Sequence, residues 1–208
     1  ILNRHTLGCL RGRKNVWLFI LEFRMPERAA FLFDGPNLYK NLKYSEIDRG
    51  HLDFMRLAQR LAGPREIVSV VFFTSPTDQL SDAENYANQQ RFFAALQKSG
   101  VALRFGKLVM RSKQCPLCDQ SFKFKTEKSV DVQLALEIAL GAAGDKWDTA
   151  YVATCDSDII PAIDFARSQG KKVFLLLPDG ANCYSVGRAC DASIKITQQT
   201  INDSQAFE

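Results

Sequence analysis

The sequence predicts an α/β fold: a three-layer sandwich in which a central, mostly parallel β-sheet carries helices on both faces. Three observations predict it. Short runs rich in apolar and β-branched residues alternate along the chain with stretches of helical periodicity. The runs are apolar at consecutive positions rather than at every second one, which is the pattern of strands buried on both sides. Each run is followed by a helix-length segment that would carry the chain back across the sheet. Composition agrees, because 208 residues with 46% hydrophobic, 24% charged, 12 Gly and 7 Pro fit one globular domain and exclude a disordered or collagenous chain.

Taken in order, Ala29 to Phe33 (AAFLF) is an apolar run ending at Asp34, and His51 to Ala62 places Leu52, Met55 or Leu57, Ala58 and Leu61 on one helical face. Glu66 to Thr74 (EIVSVVFFT) reads as a strand and Asp82 to Lys98 as a helix. Val101 to Met110 reads as a third strand. Ser129 to Ala143 is the clearest helix, with Ser129 available as its cap. Thr149 to Thr154, Asp158 to Gln169, Lys172 to Leu177, Asn182 to Cys190 and Ser193 to Ile196 then continue strand, helix, strand, helix, strand. Phe72, Phe73, Phe92, Phe93 and Phe105 fall on these elements and are expected in the core.

The segment 111–128 (RSKQCPLCDQSFKFKTEK) breaks the rhythm, and long connections of this kind usually carry function. Charge concentrates nearby: 98–128 holds eight basic residues against Asp119 and Glu127, on a chain whose net charge is only +4. A basic strip on a near-neutral domain suits a polyanionic ligand; a solvated loop is the plainer alternative. Phe122 and Phe124 alternate with Lys123 and Lys125, which fits either stacking on a single nucleic-acid strand or a β-hairpin arm with one packed face.

Residues 1–28 hold six basic residues against two acidic, the whole of the net +4, and residues 1–24 precede Met25, so 1–24 read as an N-terminal extension to a domain spanning 25–208. Val16 to Leu21 is too short to cross a bilayer, and the absence of a small-residue cleavage site argues against a signal peptide. The six cysteines have no scaffold-like spacing, which predicts free thiols in a reducing, cytoplasmic setting. Cys115 and Cys118 have the spacing of half a zinc site, whose closure would need Cys183, Cys190, His5 or His51, or the same pair from a second subunit in a homodimer; free thiols on a loop are the alternative.

In open α/β sheets ligands bind beyond the carboxyl ends of the strands. There the sequence delivers Asp34, in Asp34-Gly35-Pro36-Asn37, where Gly35 and Pro36 predict a turn that returns Asn37 to the same mouth. A later strand ends in Thr154-Cys155-Asp156-Ser157-Asp158, and Asp131 lies just inside the helix that begins after Ser129. Each acid alone is a reasonable helix cap. Four together would repel, by roughly 4 kcal/mol per pair at about 4 Å and an effective dielectric of 20, so a cation is expected to offset them. Oxygen donors without histidine favour Mg²⁺ or Mn²⁺ over zinc. Cys155 reads as a small buried hydrophobe, since no histidine lies near it in sequence to activate a thiolate.

In order and spacing, Asp34-Gly35-x-Asn37, Glu127-Lys128-x-x-Asp131 and Thr154-x-Asp156-Ser157-Asp158 resemble the NYN domain, a PIN-like nuclease group that includes LabA-like proteins. The resemblance implies a PIN-like Rossmannoid fold and a ribonuclease (hydrolase) with Asp34, Asp131, Asp156 and Asp158 as catalytic, metal-binding acids. Asn37, Ser157 and Thr154 would support them, and Lys128, Lys123, Lys125 and Arg111 would meet single-stranded RNA, although Lys128 reads equally well as solvent-facing. Asp191 matches a late acidic position of such proteins, for which a structural or supporting role is expected. Glycine is common in the family where Cys155 stands. A non-catalytic RNA- or nucleotide-binding module of the same fold is the alternative function.

Overall fold

The computed structural model describes residues 26–77 and 82–205. The sheet begins with β1 (Arg28–Asp34), in which every residue from Ala29 onward is buried. Asp34 ends that strand and caps α1 (Gly35–Tyr44), accepting from the Asn37 backbone N–H at 3.2 Å, with Pro36 in the first helical turn. Asp53 caps α2 (Phe54–Ala62) through the N–H groups of Met55 and Arg56, and β2 (Glu66–Thr74) follows. Asp82 caps α3 (Ala83–Lys98), which leads to the short β3 (Ala102–Phe105). A hairpin of β4 (Lys107–Gln114) and β5 (Ser121–Lys128) precedes α4 (Val130–Ala143). The second half runs through β6 (Thr149–Ala153), a 3₁₀ turn (Ser157–Ile159), α5 (Ile160–Ser168), β7 (Lys172–Pro178), α6 (Tyr184–Ala189), β8 (Ala192–Ile196) and α7 (Gln198–Asn202).

The six main strands stand in the order β3-β2-β1-β6-β7-β8, and every neighbouring pair is parallel. From β1 the chain winds outward to β3; from β6 it winds outward the other way to β8. The order therefore reverses between β1 and β6, and at such a switch point the carboxyl ends of a parallel sheet open into a crevice. Two cores flank the sheet. Leu38, Leu42, Phe54, Leu57 and Leu96 of α1 to α3 pack on one face against Phe31, Phe33 and Tyr151. Leu134, Ile138, Ile159 and Ile163 pack on the other against Leu32, Val71 and Val152.

Several expectations are corrected. The stretch from Val101 to Met110 is two strands in two sheets, broken at Gly106, where a side chain would stand 2.6 Å from the Lys128 carbonyl oxygen. Gly35 and Pro36 open a helix rather than a turn, because Asp34 caps it. Ser129 occupies the N-cap position of α4 with φ at 75° and makes no capping bond. Phe105 is exposed, whereas Phe72, Phe73 and Phe93 are buried. The hairpin has no packed face along β4, all eight residues of which are exposed. Cys155 is disulfide-bonded to Cys183, with Cα atoms 4.9 Å apart, so it is not the free buried thiol expected, and the cysteines do not all stand free as in a reducing compartment. The 1–24 extension and His5 lie outside the described residues. Among the described residues no helix is long and apolar enough to cross a membrane.

Candidate functional site

Phe33 of β1 pairs with Ala153 of β6, so the residues that follow, Asp34 and Thr154, meet at the switch point. Asp34 is 3% exposed. Its Oδ2 accepts from the Thr154 hydroxyl at 2.8 Å and its Oδ1 from the Asn37 N–H at 3.2 Å. The Thr154 oxygen in turn accepts from the Asp156 N–H at 3.2 Å. Asn37 Oδ1 accepts from the Cys155 N–H at 2.9 Å and from Asn41 Nδ2 at 2.7 Å. Asn37 and Thr154 thus lace the first helical turn of α1 to the loop after β6. Asp156 closes the far side of that loop by capping its 3₁₀ turn at the Asp158 N–H, 2.9 Å away. Ser157 and Asp158 lie exposed on the same turn.

The electrostatics of this rim differ from those at the opposite end of the sheet. Burial is the main cause that pushes the Asp34 carboxyl up to about 6, against the hydrogen bonds from Thr154 and Asn37; Asp131 and Glu127 push it further. Asp131, in the first turn of α4, is raised by partial burial and then by the charges of Asp156, Glu127 and Asp158. At the amino ends of the strands the acids are instead matched by cations. Asp148 is held well below the usual carboxylate range, first by its hydrogen bond with Arg28, whose guanidinium lies 2.8 Å away. Glu27 is lowered by the Thr149 hydroxyl and by Lys172 and Arg65. One end of the molecule has compensated its acids; the other holds acids that disfavour one another's charge.

Glu127 belongs to this set although the sequence offered it only as part of a motif. It lies one residue before the end of β5, opposite Leu108, and its Oε1 is buried with no hydrogen-bond partner. Its local signal is weak, since it reads as one acid in a basic strip. Asp191 does not reach the rim: it accepts from the Val173 N–H and from Arg167 at the amino end of β7, a structural role. Opposed residues of an antiparallel pair share a face. The hairpin therefore divides its basic residues: Lys123 and Lys125 lie on the face of Glu127, while Arg111 and Lys128 lie on the other with Phe122 and Phe124, whose rings are 5.9 Å apart.

Residues 28–197 match the NYN domain. The chain belongs to the NYN-domain family. NYN domains form part of the PIN-like nuclease superfamily, whose members generally bind RNA and typically use divalent metals. No curated protein matches the sequence. Among solved structures, one similar to this NYN domain is the crystal structure of a protein of unknown function from Vibrio parahaemolyticus. It aligns with a TM-score of 0.61 and 18% identity over 82% of this chain and 93% of that one, a likeness of fold.

The donor set fits a hard divalent ion in type and charge: oxygen ligands, mutual repulsion, and an orphaned carboxylate oxygen on Glu127. As the side chains stand, no group of three or more His, Cys, Asp or Glu residues among those described is close enough to hold a metal. Cys115 and Cys118 accordingly have no third such ligand beside them among the described residues, and Cys183, one residue expected to complete a zinc site, is bonded to Cys155.

Proposed function

We propose that this NYN domain is a divalent-metal-dependent ribonuclease whose phosphodiester-cleaving centre is the acidic rim between β1 and β6. The observation that carries the reading is the pair of raised carboxyls, Asp34 and Asp131, at a switch point, each pushed up by burial and then by neighbouring acids, set against the cation-paired Asp148 at the other end of the sheet. Asp34, Asp131, Asp156 and Asp158 would hold Mg²⁺ or Mn²⁺, with Glu127 as a further oxygen donor. Bound there, the ion supplies polarisation of a phosphoryl oxygen and a lowered pKa for a bound water.

The protein's own residues do the rest. Thr154 and Asn37 fix the Asp34 carboxylate by donated bonds. Asn37 also anchors the backbone of Cys155, which sets the position of the Asp156 to Asp158 turn. Lys123 and Lys125 on one face of the hairpin, and Arg111 and Lys128 on the other, make the arm beside the rim positive toward the backbone of single-stranded RNA.

A non-catalytic RNA-binding module is favoured by one observation, the lack of any three acids already at ligand distance among the described residues. Incubation of the full chain with labelled single-stranded RNA and Mg²⁺ or Mn²⁺ decides between the two. The nuclease reading expects product from the parent and nearly none from Asp34→Asn or Asp156→Asn. Retained affinity with no product under either ion selects the binding module.

A further inference from the structure

Beside the acidic rim, between the α1–α2 loop and α3, lies a groove of about 1110 Å³, ample for a nucleotide. Pro36 and Thr74 line it, and they place it against the ends of β1 and β2 next to Asp34. One wall is aromatic: Tyr39 and Phe92 have ring centroids 6.3 Å apart, and the Arg49 guanidinium lies over the Tyr39 ring at 4.7 Å. Flat cationic and aromatic surfaces of this kind stack unpaired bases. The other wall is polar, with Asn88 and Arg91 exposed on α3.

Two lining residues hold unpartnered buried oxygens, Ser75 Oγ and Glu127 Oε1. Buried polar atoms without partners are uncommon in folded proteins; the Glu127 oxygen is claimed by the rim, and the Ser75 hydroxyl lining the groove suits a ligand with polar groups of its own, such as an exocyclic amine or a ribose hydroxyl. No hydrogen bond within the described residues uses either atom. The stacking surface, the cationic group and the orphaned acceptors come from separate segments and converge only in the fold.

We propose that this groove is the subsite for an unpaired nucleotide of the RNA strand adjacent to the phosphodiester held at the rim, with its base against Arg49 and Tyr39 and a phosphate toward Arg91. A duplex would not satisfy it, because its bases are already stacked on one another and paired along the edges that would meet the groove's polar groups. The inference rests on the RNA-cleaving reading of the rim and adds the element that selects single strands.

The test is fluorescence anisotropy of a short labelled single-stranded oligoribonucleotide with the full chain in EDTA, for the parent, Arg91→Glu and Arg49→Ala, together with cleavage kinetics in Mn²⁺. Each variant is expected to weaken binding by about tenfold or more and to raise KM with little change in kcat, while melting within a few degrees of the parent. Asn88→Ala serves as the variant least able to disturb folding and should show a smaller loss in the same direction. Parent affinity in all three variants, with cleavage intact, overturns the groove assignment and leaves the rim reading standing. Neither binding nor cleavage by the parent overturns the rim reading, and this inference falls with it.

Discussion

The Thr154 hydroxyl donates to the Asp34 carboxylate at 2.8 Å, joining the ends of the two central strands where the direction of winding reverses. Asp34 is buried, so this bond and the one from the Asn37 N–H help keep a charge where desolvation disfavours it. Thr154→Val removes the donor and leaves the carboxylate oxygen without it. We expect a loss of about 2 kcal/mol in stability, the range for a hydrogen bond to a charged group, and RNA cleavage reduced by about tenfold or more. Chemical denaturation and initial rates check both; a variant as stable and as active as the parent contradicts the assigned role.

Ser129 sits at φ 75° at the start of α4 and makes no cap bond. A left-handed conformation costs a side-chain-bearing residue roughly 1–2 kcal/mol relative to glycine. Ser129→Gly should therefore raise the melting temperature by about 2–4 °C, and Ser129→Ala should not show the loss expected on removing a cap. Calorimetry on the two variants measures this directly.

The Cys155–Cys183 disulfide spans 28 residues and joins the loop of the acidic rim to the start of α6. Closing a loop of that length stabilises by about 3–4 kcal/mol in the chain-entropy account. Dithiothreitol, or Cys183→Ala, should lower the melting temperature by roughly 10 °C. An unchanged melting temperature in reductant would mean that the bond contributes nothing in solution.

Acid stability should depend on the opposite end of the sheet. Arg28 holds the Asp148 carboxyl well below its ordinary value, so the folded pKa is depressed relative to the unfolded one. The resulting stabilisation is fully present above the unfolded pKa, near 4, and is lost as pH falls through the folded pKa. Asp148→Asn should lower stability at neutral pH, by about 1 kcal/mol for a partly exposed pair, and flatten the decline below pH 4. Urea unfolding between about pH 2 and 7 tests the sign.

The alternation of strands and helices was legible because buried parallel strands, such as Ala29 to Phe33, are apolar at every position and differ visibly from the amphipathic helices between them. Asp34 and Asp156 were legible for the same reason, since each closely follows such a strand, and Asp131 because it opens the clearest helix. Gly106 was not: Leu108, Val109 and Met110 continue an apolar run across it, and only the crowding by Lys128 and Val130 shows why the chain must leave the sheet there. The disulfide, the orphaned oxygen of Glu127 and the groove around Tyr39, Arg49 and Arg91 depend on contacts between distant segments, for which local pattern holds no signal. The helix at Gly35 was hidden by Pro36, a residue that reads as a turn until its place in the first helical turn is seen.

On the proposed reading, carboxylates gathered at the β1–β6 crevice repel one another until a divalent ion joins them. A thermal-shift titration with Mn²⁺ tests it on the parent and on Asp131→Asn. In chelator the variant should melt at or above the parent, and added Mn²⁺ should stabilise the parent far more than the variant. A parent indifferent to the ion, together with a variant that loses several degrees in chelator, would show that Asp131 serves the fold alone.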